Sequence, residues 1–357
     1  MSAVAASAPG KAVLLGEYAV LDGAPALVMA VDRRARVQVS PCASRDSRVE
    51  VPQLGLAPVG FRLADRGEIA WQGSEASQPS FQRARALLEW LLASERSRPP
   101  GRSGLRICID TGDLYQVTST GPTKLGLGSS AAMTVALAGA LAVYSAPVSM
   151  AEQLDWLTRE LLSPYRAGQG GRGSGIDLAA SLHGGVLRFQ LGPQGVSAVP
   201  IDLPKALKLA FVWTGEAAST PAFLDRYAHW TASAPVEAER MRQSLGECCQ
   251  AAMETLRTDD ASGLMTCINN YRQLMGKIGD LAGLPVVSEA LNEIARVASA
   301  FGLACKPCGA GGGDLAMLAG IDEQALELAC DSLASRGWSR LRLDAAQQGL
   351  RVEQGRA

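Results

Sequence analysis

Four short stretches of this chain carry residue types that can hold and move an anionic group. APGKAVLLGEYAVLDG, from Ala8 to Gly23, supplies Lys11 and then Glu17 and Tyr18. KLGLGSSAAMTV, from Lys124 to Val135, supplies a lysine, two glycines and two serines ahead of an apolar run. GRGSGID ends in Asp177, and CGAGGGD, from Cys308 to Asp314, packs four glycines into five positions. Glycine lets the backbone approach an anion closely. The free amides of a helix's first turn bind phosphate, and serine hydroxyls there can add a phosphate or metal contact. A lysine and a carboxylate brought together from distant segments can form an activated pair.

The stretch from Lys124 to Val135 matches neither of two familiar phosphate loops. A Walker loop places its lysine after the last glycine, whereas Lys124 comes before Gly126 and Gly128. GLGSSA does fit G-x-G-x-x-A, but a dinucleotide fingerprint follows a strand directly, and TSTGPTK does not read as one. Phosphate binding by this loop and a simple capped helix after a tight turn both remain open from these residues alone. CGAGGGD likewise allows either close approach to a ligand or a tight structural turn.

The elements that must position these residues are legible in outline. KAVLLGEYAVLDGAPALVMAVDRRARVQVS reads as strand, turn and strand. SFQRARALLEWLLASE has helical spacing with a serine at its start, and GLRICIDTG reads as a strand. AAMTVALAGALAVYSA is apolar on nearly all sides and is expected as a buried helix. SMAEQLDWLTRELLSPYRAG reads as one helix, with Ser149 and Glu152 at capping-box spacing. The texture changes between Leu191 and Pro204, so two units are expected, residues 1–200 and 201–357. In the second, three helices are expected, near Pro235–Thr258, Ala261–Leu281 and Ser288–Phe301. A strand follows the last glycine loop, then a helix begun by Asp322 and stopped by Gly337, and two closing strands. Strands and helices mix without a βαβ beat, which favours an α+β plan.

Composition narrows the function classes. The 357 residues are 47% apolar and 19% charged, with a formal charge of −1. No basic excess exists to release counterions, which argues against a general nucleic-acid binder. No apolar run is long enough to span a bilayer, and the first residues carry no basic n-region, so no membrane partner and a cytoplasmic location are expected. Of eight cysteines only Cys305 and Cys308 have C-x-x-C spacing, and no second pair completes a zinc site; reduced, mostly buried thiols are expected. His183 and His229 are too few and too distant for a histidine metal site.

Taken in order, APGKAVLLGEYAVLDG, GLGSSAA and CGAGGGD resemble the three motifs of the GHMP kinases (galactokinase, homoserine, mevalonate and phosphomevalonate kinases). They fall near the start, at one third and near the end, so the resemblance spans most of the chain. It implies an α+β fold of two domains, the first like domain 2 of ribosomal protein S5 and the second ferredoxin-like, with ATP and magnesium (Mg2+). It implies that Lys124, Gly126, Leu127, Gly128, Ser129, Ser130 and Ala131 wrap the nucleotide phosphates, with Ser130 on the metal. Lys11, Asp177 and Lys124 map to catalytic positions. Lys11, Glu17, Tyr18, Ser174, Gly175, Asp177, Ala310, Gly311 and Gly312 map to the acceptor side, and Glu17 is a further candidate for the metal shell.

Within the family, Tyr18 after Gly16-Glu17, Lys124 ahead of the middle loop and Asp314 after the glycines resemble the phosphomevalonate branch. The resemblance implies a small-molecule acceptor, 5-phosphomevalonate, handled by a monomer or homodimer. The rivals are mevalonate or a sugar phosphate as acceptor, and a GHMP-fold ligand sensor without catalysis. Joining two phosphates brings polyanions together and needs cations, for which Lys11, Lys124 and Arg172 are candidates. A phosphomonoester has a second pKa of about 6 and is largely dianionic at neutral pH. Asp177 is therefore expected to position Lys11 and the acceptor rather than take a proton. Ser219 and Thr220 either bind substrate oxygens or cap the helix after Pro221.

Overall fold

The computed structural model describes residues 2–355, apart from 56, 65–66, 79–80, 100–103, 120, 147–148, 168–170, 172, 193–194, 217 and 219. The first half holds strands β1 (Val4–Leu15), β2 (Ala26–Pro41), β3 (Ser47–Glu50), β4 (Val59–Leu63) and β5 (Ile69–Gln72), then helix α1 (Gln82–Ala93) and β6 (Leu105–Asp110). A hairpin of β7 (Tyr115–Thr118) and β8 (Gly121–Lys124) leads into α2 (Ser129–Ser145). Helices α3 (Met150–Glu160), α4 (Leu162–Ala167) and α5 (Ile176–His183) precede β9 (Val186–Gly192) and β10 (Gly195–Pro200).

The second half runs β11 (Lys208–Trp213), α6 (Thr220–Ser233), α7 (Pro235–Arg257), α8 (Ala261–Ala282), α9 (Glu289–Ala300), β12 (Ala304–Cys308), β13 (Leu315–Gly320), α10 (Glu323–Ala334), β14 (Ser339–Leu341) and β15 (Arg351–Gln354).

The larger sheet runs β10-β9-β2-β6-β3-β4-β5. Along its length β2 also pairs antiparallel with β1, whose alternate residues Val4, Ala6 and Ala8 are buried. The uncharged helix α2 packs across β1 and β2. Val135, Leu137, Ala138 and Leu141 of α2 share one core with Val37, Val39, Ile107 and Ile109. The all-round apolar character read from the sequence is thus that of a helix inside the protein.

The smaller sheet runs β12-β13-β11-β14 and is covered on both faces. Leu291 and Ile294 of α9 and Leu326 and Ala329 of α10 pack on Ala210, Val212 and Leu318. On the other face, Leu264, Ile268 and Tyr271 of α8 join Phe211, Met317 and Cys308 in a core that also takes in Leu14, Leu15, Leu27 and Met29 of β1 and β2. The two halves therefore share a core rather than merely touching.

Several expectations need correcting. Gly121–Lys124, read as non-strand, is β8: its proline and glycine are tolerated in a small two-stranded ribbon. The stretch expected as one helix from Ser149 is broken at Leu161 into α3 and α4, although the capping box of Ser149 and Glu152 forms as read. The helix expected after Pro221 does form, as α6. The closing strand β15 returns to the first sheet and pairs with β1, so the first sheet is completed by residues beyond 200. The serine read as the start of α1, Ser80, lies outside the described residues. Cys305 and Cys308 sit on opposite faces of β12, one in each core, which prevents joint ligation of a metal. All eight thiols are free.

Candidate functional site

Where the halves meet, a cavity of ≈ 370 Å³ opens. Its floor is built by β1. Gly10 comes so close to Leu127 that a Cβ would lie 2.5 Å from the Leu127 carbonyl oxygen. That closeness lets the Lys11 amide donate to the same oxygen at 2.8 Å. The Lys11 ammonium donates to Gly126 O at 3.0 Å. The first and second stretches are thereby tied together through one residue.

The second stretch turns through Gly126 and Gly128, both left-handed at φ 74° and 73°. Gly128 begins α2 with no side chain capping it. The amides of Ser129, Ser130 and Ala131 belong to that first turn, which has no intrahelical partner to offer them. Ser129 and Ser130 line the cavity, as do Lys124, Gly126, Leu127 and Gly128. Ala131 is fully buried behind them and does not line it.

On one wall, α5 presents Asp177, whose Oδ1 accepts from the Leu178 amide at 3.0 Å. Its Oδ2 accepts a short hydrogen bond from the Tyr165 hydroxyl on α4. The backbone of Gly128 lies between the Lys11 stem and Asp177, so a Cβ there would be 3.0 Å from Lys11 Cγ and 3.7 Å from Asp177 Cβ. Ser174 lines the cavity, but its hydroxyl accepts from the Ile176 amide at 3.3 Å and so starts α5. Gly175 is not a lining residue; it is closed over by Leu162.

The opposite wall is the third glycine stretch. Gly309 and Ala310 line the cavity, whereas Gly311 and Gly312 do not. Gly311 abuts the Val286 carbonyl and Gly312 abuts the Phe223 ring, with no room for a Cβ at either. Two of these glycines thus serve a tight internal turn. Tyr18, at φ 63°, reaches across and donates from its hydroxyl to Ala310 O at 2.5 Å. Burial, then Glu17, then Tyr227 raise its pKa, which keeps the phenol a neutral donor.

Glu17 also lines the cavity, and its carboxylate is engaged within the protein. Its Oε1 pairs with Lys306 Nζ at 2.6 Å and accepts from the Gly309 amide at 2.9 Å. Both side chains are shut from solvent, at 0% and 4% exposure. Its backbone carbonyl accepts from the Tyr271 hydroxyl at 2.5 Å. Oε2 is buried without a hydrogen-bond partner.

Sequence reasoning passed over four contributors. Lys306 sits inside CKPC, where attention went to the cysteines. Tyr165 ends a helix that was read only for its caps. Arg83 lines the cavity from α1, which no motif covers. Asp314 was noted as a branch marker and not as a site residue, yet it lines the cavity, at φ 55°. Its Oδ1 accepts from the Ala218 amide at 3.1 Å, and Gly126 packs directly on its side chain. Burial raises its carboxyl pKa against the opposing pull of the Ala218 amide, Lys11 and Lys124. Desolvation and then the Arg83 guanidinium lower the Lys124 ammonium, while Asp314 draws it upward. Arg172 and Ser219 lie outside the described residues, as does the side chain of Thr220.

Two glycine turns and an uncapped helix start face a cavity lined by Lys11, Lys124 and Arg83, an arrangement suited to holding phosphate groups. Residues 91–185 match the family model described as the GHMP kinases N terminal domain. The chain is 31% identical to a phosphomevalonate kinase of Streptomyces sp., over 86% of this chain and 87% of that one. It is 28% identical to the mevalonate kinase of Thermococcus gammatolerans, over 98% of each. The fold superposes on a Streptococcus pneumoniae phosphomevalonate kinase in complex with phosphomevalonate and AMPPNP, with a TM-score of 0.74 at 18% identity, covering 96% of this chain and 99% of that one. The chain belongs to the GHMP kinase family.

Proposed function

We propose that this chain is an ATP-dependent phosphomevalonate kinase. It transfers the γ-phosphoryl group of ATP to the phosphate of 5-phosphomevalonate, giving 5-diphosphomevalonate and ADP, in the mevalonate route to isoprenoids. The observation that carries this reading is the convergence of three cations, Lys11, Lys124 and Arg83, on one cavity at an uncapped helix start. The acids there are engaged: Glu17 with Lys306, Asp177 with Tyr165 and Leu178, Asp314 with Ala218. A site for two phosphorylated partners needs cations placed to face them, and Lys11, Lys124 and Arg83 can supply these.

In this reading, the turn from Gly126 to Ser130 cradles the nucleotide phosphates with backbone amides. An oxygen of the acceptor phosphate attacks the γ-phosphorus. A new P–O bond forms as the bond from that phosphorus to the β,γ-bridging oxygen breaks, and ADP leaves. The attacking dianion has no proton to surrender. Lys11 and Lys124 screen the two partners from each other, and Asp177 orients the Lys11 side of the site. Magnesium fits this donor set. No cluster of three acidic, histidine or cysteine side chains exists among the described residues. The ion would therefore take phosphate and water oxygens, as magnesium commonly does, together with the Ser130 hydroxyl. Bound there, it would neutralise charge developing on the phosphates.

The likeness to mevalonate kinases over nearly the whole chain favours a second reading, with mevalonate as acceptor. An ADP-release assay over mevalonate, 5-phosphomevalonate and sugar phosphates separates the two. Turnover confined to mevalonate refutes the first reading. Thermal stabilisation by ATP without turnover of any acceptor identifies a sensor.

A further inference from the structure

We infer that Tyr165 is the positioning residue of Asp177, and that α4 serves as the brace that fixes the loop carrying it. This rests on the kinase reading above. Three residues of this short helix grip successive parts of one segment. Leu162 closes on Gly175, which has no room for a Cβ. Arg166 donates to the carbonyls of Gly173 at 2.7 Å and Ser174 at 3.3 Å. The Tyr165 hydroxyl donates to Asp177 Oδ2. Tyr165 is 7% exposed and lines the cavity, so its ring both fills the wall and delivers the hydroxyl.

The consequence for Asp177 is geometric. Its Oδ1 is taken by the Leu178 amide and its Oδ2 by Tyr165, so the carboxylate plane is fixed from both sides. A carboxylate meant to swing and collect a proton has no use for such a clamp, whereas a group that must hold its neighbours in register does. α3 ends at Glu160, whose carbonyl finds no N–H at Pro164, and Tyr165 then follows on the separate helix α4.

The test is a double-mutant cycle with Tyr165→Phe and Asp177→Asn in the full chain, with Arg166→Lys as a second brace variant. Tyr165→Phe keeps the ring and removes one oxygen, and an unchanged melting temperature shows that it is folded. The expected result is a kcat lower by about 10- to 100-fold, with KM for ATP and acceptor within about twofold. In the Asp177→Asn background the same change is expected to have little further effect, because residues acting as a unit are not additive. Arg166→Lys is expected to behave the same way, more weakly. Additive losses, or a change confined to KM, overturn the positioning role while leaving wild-type turnover and the kinase reading intact. A wild-type chain that turns over no acceptor overturns the kinase reading, and the proposal with it.

Discussion

The Glu17–Lys306 pair offers a prediction with a definite size. Lys306 is wholly excluded from solvent and Glu17 nearly so, at 2.6 Å separation. Lys306→Met leaves the Glu17 carboxylate with one donor fewer: the Gly309 amide remains on Oε1, and Oε2 has none. Stranding a buried charge in this way costs about 3–5 kcal/mol. Unfolding entropy for 357 residues is about 0.75 kcal/mol/K, so the melting temperature should fall by about 4–7 °C. Glu17→Gln alone should also be harmful, because it leaves the buried Lys306 ammonium with neutral acceptors only and no counter-charge. The double variant Glu17→Gln/Lys306→Met should recover part of the loss, since it leaves no unpaired charge in the interior. Calorimetry on the three variants decides it. A shift below about 1 °C for Lys306→Met, or full additivity in the double variant, refutes the reasoning that these groups compensate each other.

Three further perturbations follow from the same geometry. Lys124 is held below the usual ammonium range by desolvation and Arg83, so its charge is lost at a lower pH than an ordinary lysine's. The pH profile of kcat/KM should fall on the alkaline side at a lower pH than an ordinary lysine would give, and Lys124→Arg should remove that limb; an unchanged profile counts against Lys124 meeting a phosphate. Gly126→Ala adds a Cβ into the Asp314 side chain at a left-handed residue, costing about 1–2 kcal/mol from the backbone alone, and should lower kcat/KM for ATP at least about tenfold in steady-state assays. Burial lowers the His183 imidazole pKa. The unfolded chain therefore takes up a proton near pH 6.5 that the folded chain resists, and stability falls as pH drops through that window. Urea unfolding at about pH 7.5 and about pH 5.5 should show this slope, and His183→Gln should flatten it.

What the sequence disclosed and what it concealed divide along a physical line. The start of α2, the capping box at Ser149 and the Asp322 cap rest on local backbone chemistry, and local residues announce them. Pairing of β15 with β1 joins residues more than three hundred positions apart, and nothing in RVEQ names its partner. The hairpin before α2 was hidden by its own proline and glycine. Tyr165 shows no periodicity that separates it from a core tyrosine, and its bond to Asp177 joins two separate helices. Lys306 did leave a trace: a lysine in an otherwise buried five-residue strand requires a buried partner, and Glu17 in the first stretch was a nameable acid.

That trace changes the meaning of the third glycine stretch. Four glycines suggest a cradle for a ligand, yet Gly311 and Gly312 are spent on Val286 and Phe223, and Gly313 abuts the Glu216 carbonyl. Between its two ends, what faces the cavity is Gly309 and Ala310, and each is held from the first stretch, by Glu17 Oε1 and by the Tyr18 hydroxyl. Asp314, at the far end of the same turn, packs on Gly126 of the middle stretch. The glycines make a turn tight enough for its two ends to touch two other loops at once. The three stretches are therefore best regarded as one joint between the halves. A substitution at Gly312 should then disturb the first and middle stretches as much as its own, although it lies outside the cavity. Gly312→Ala tests this by ligand-free hydrogen exchange: protection lost at the Lys11, Val20 and Leu125 amides, which are bonded to Leu127, Gly16 and Leu114, supports a joint, and loss confined to residues 309–314 refutes it.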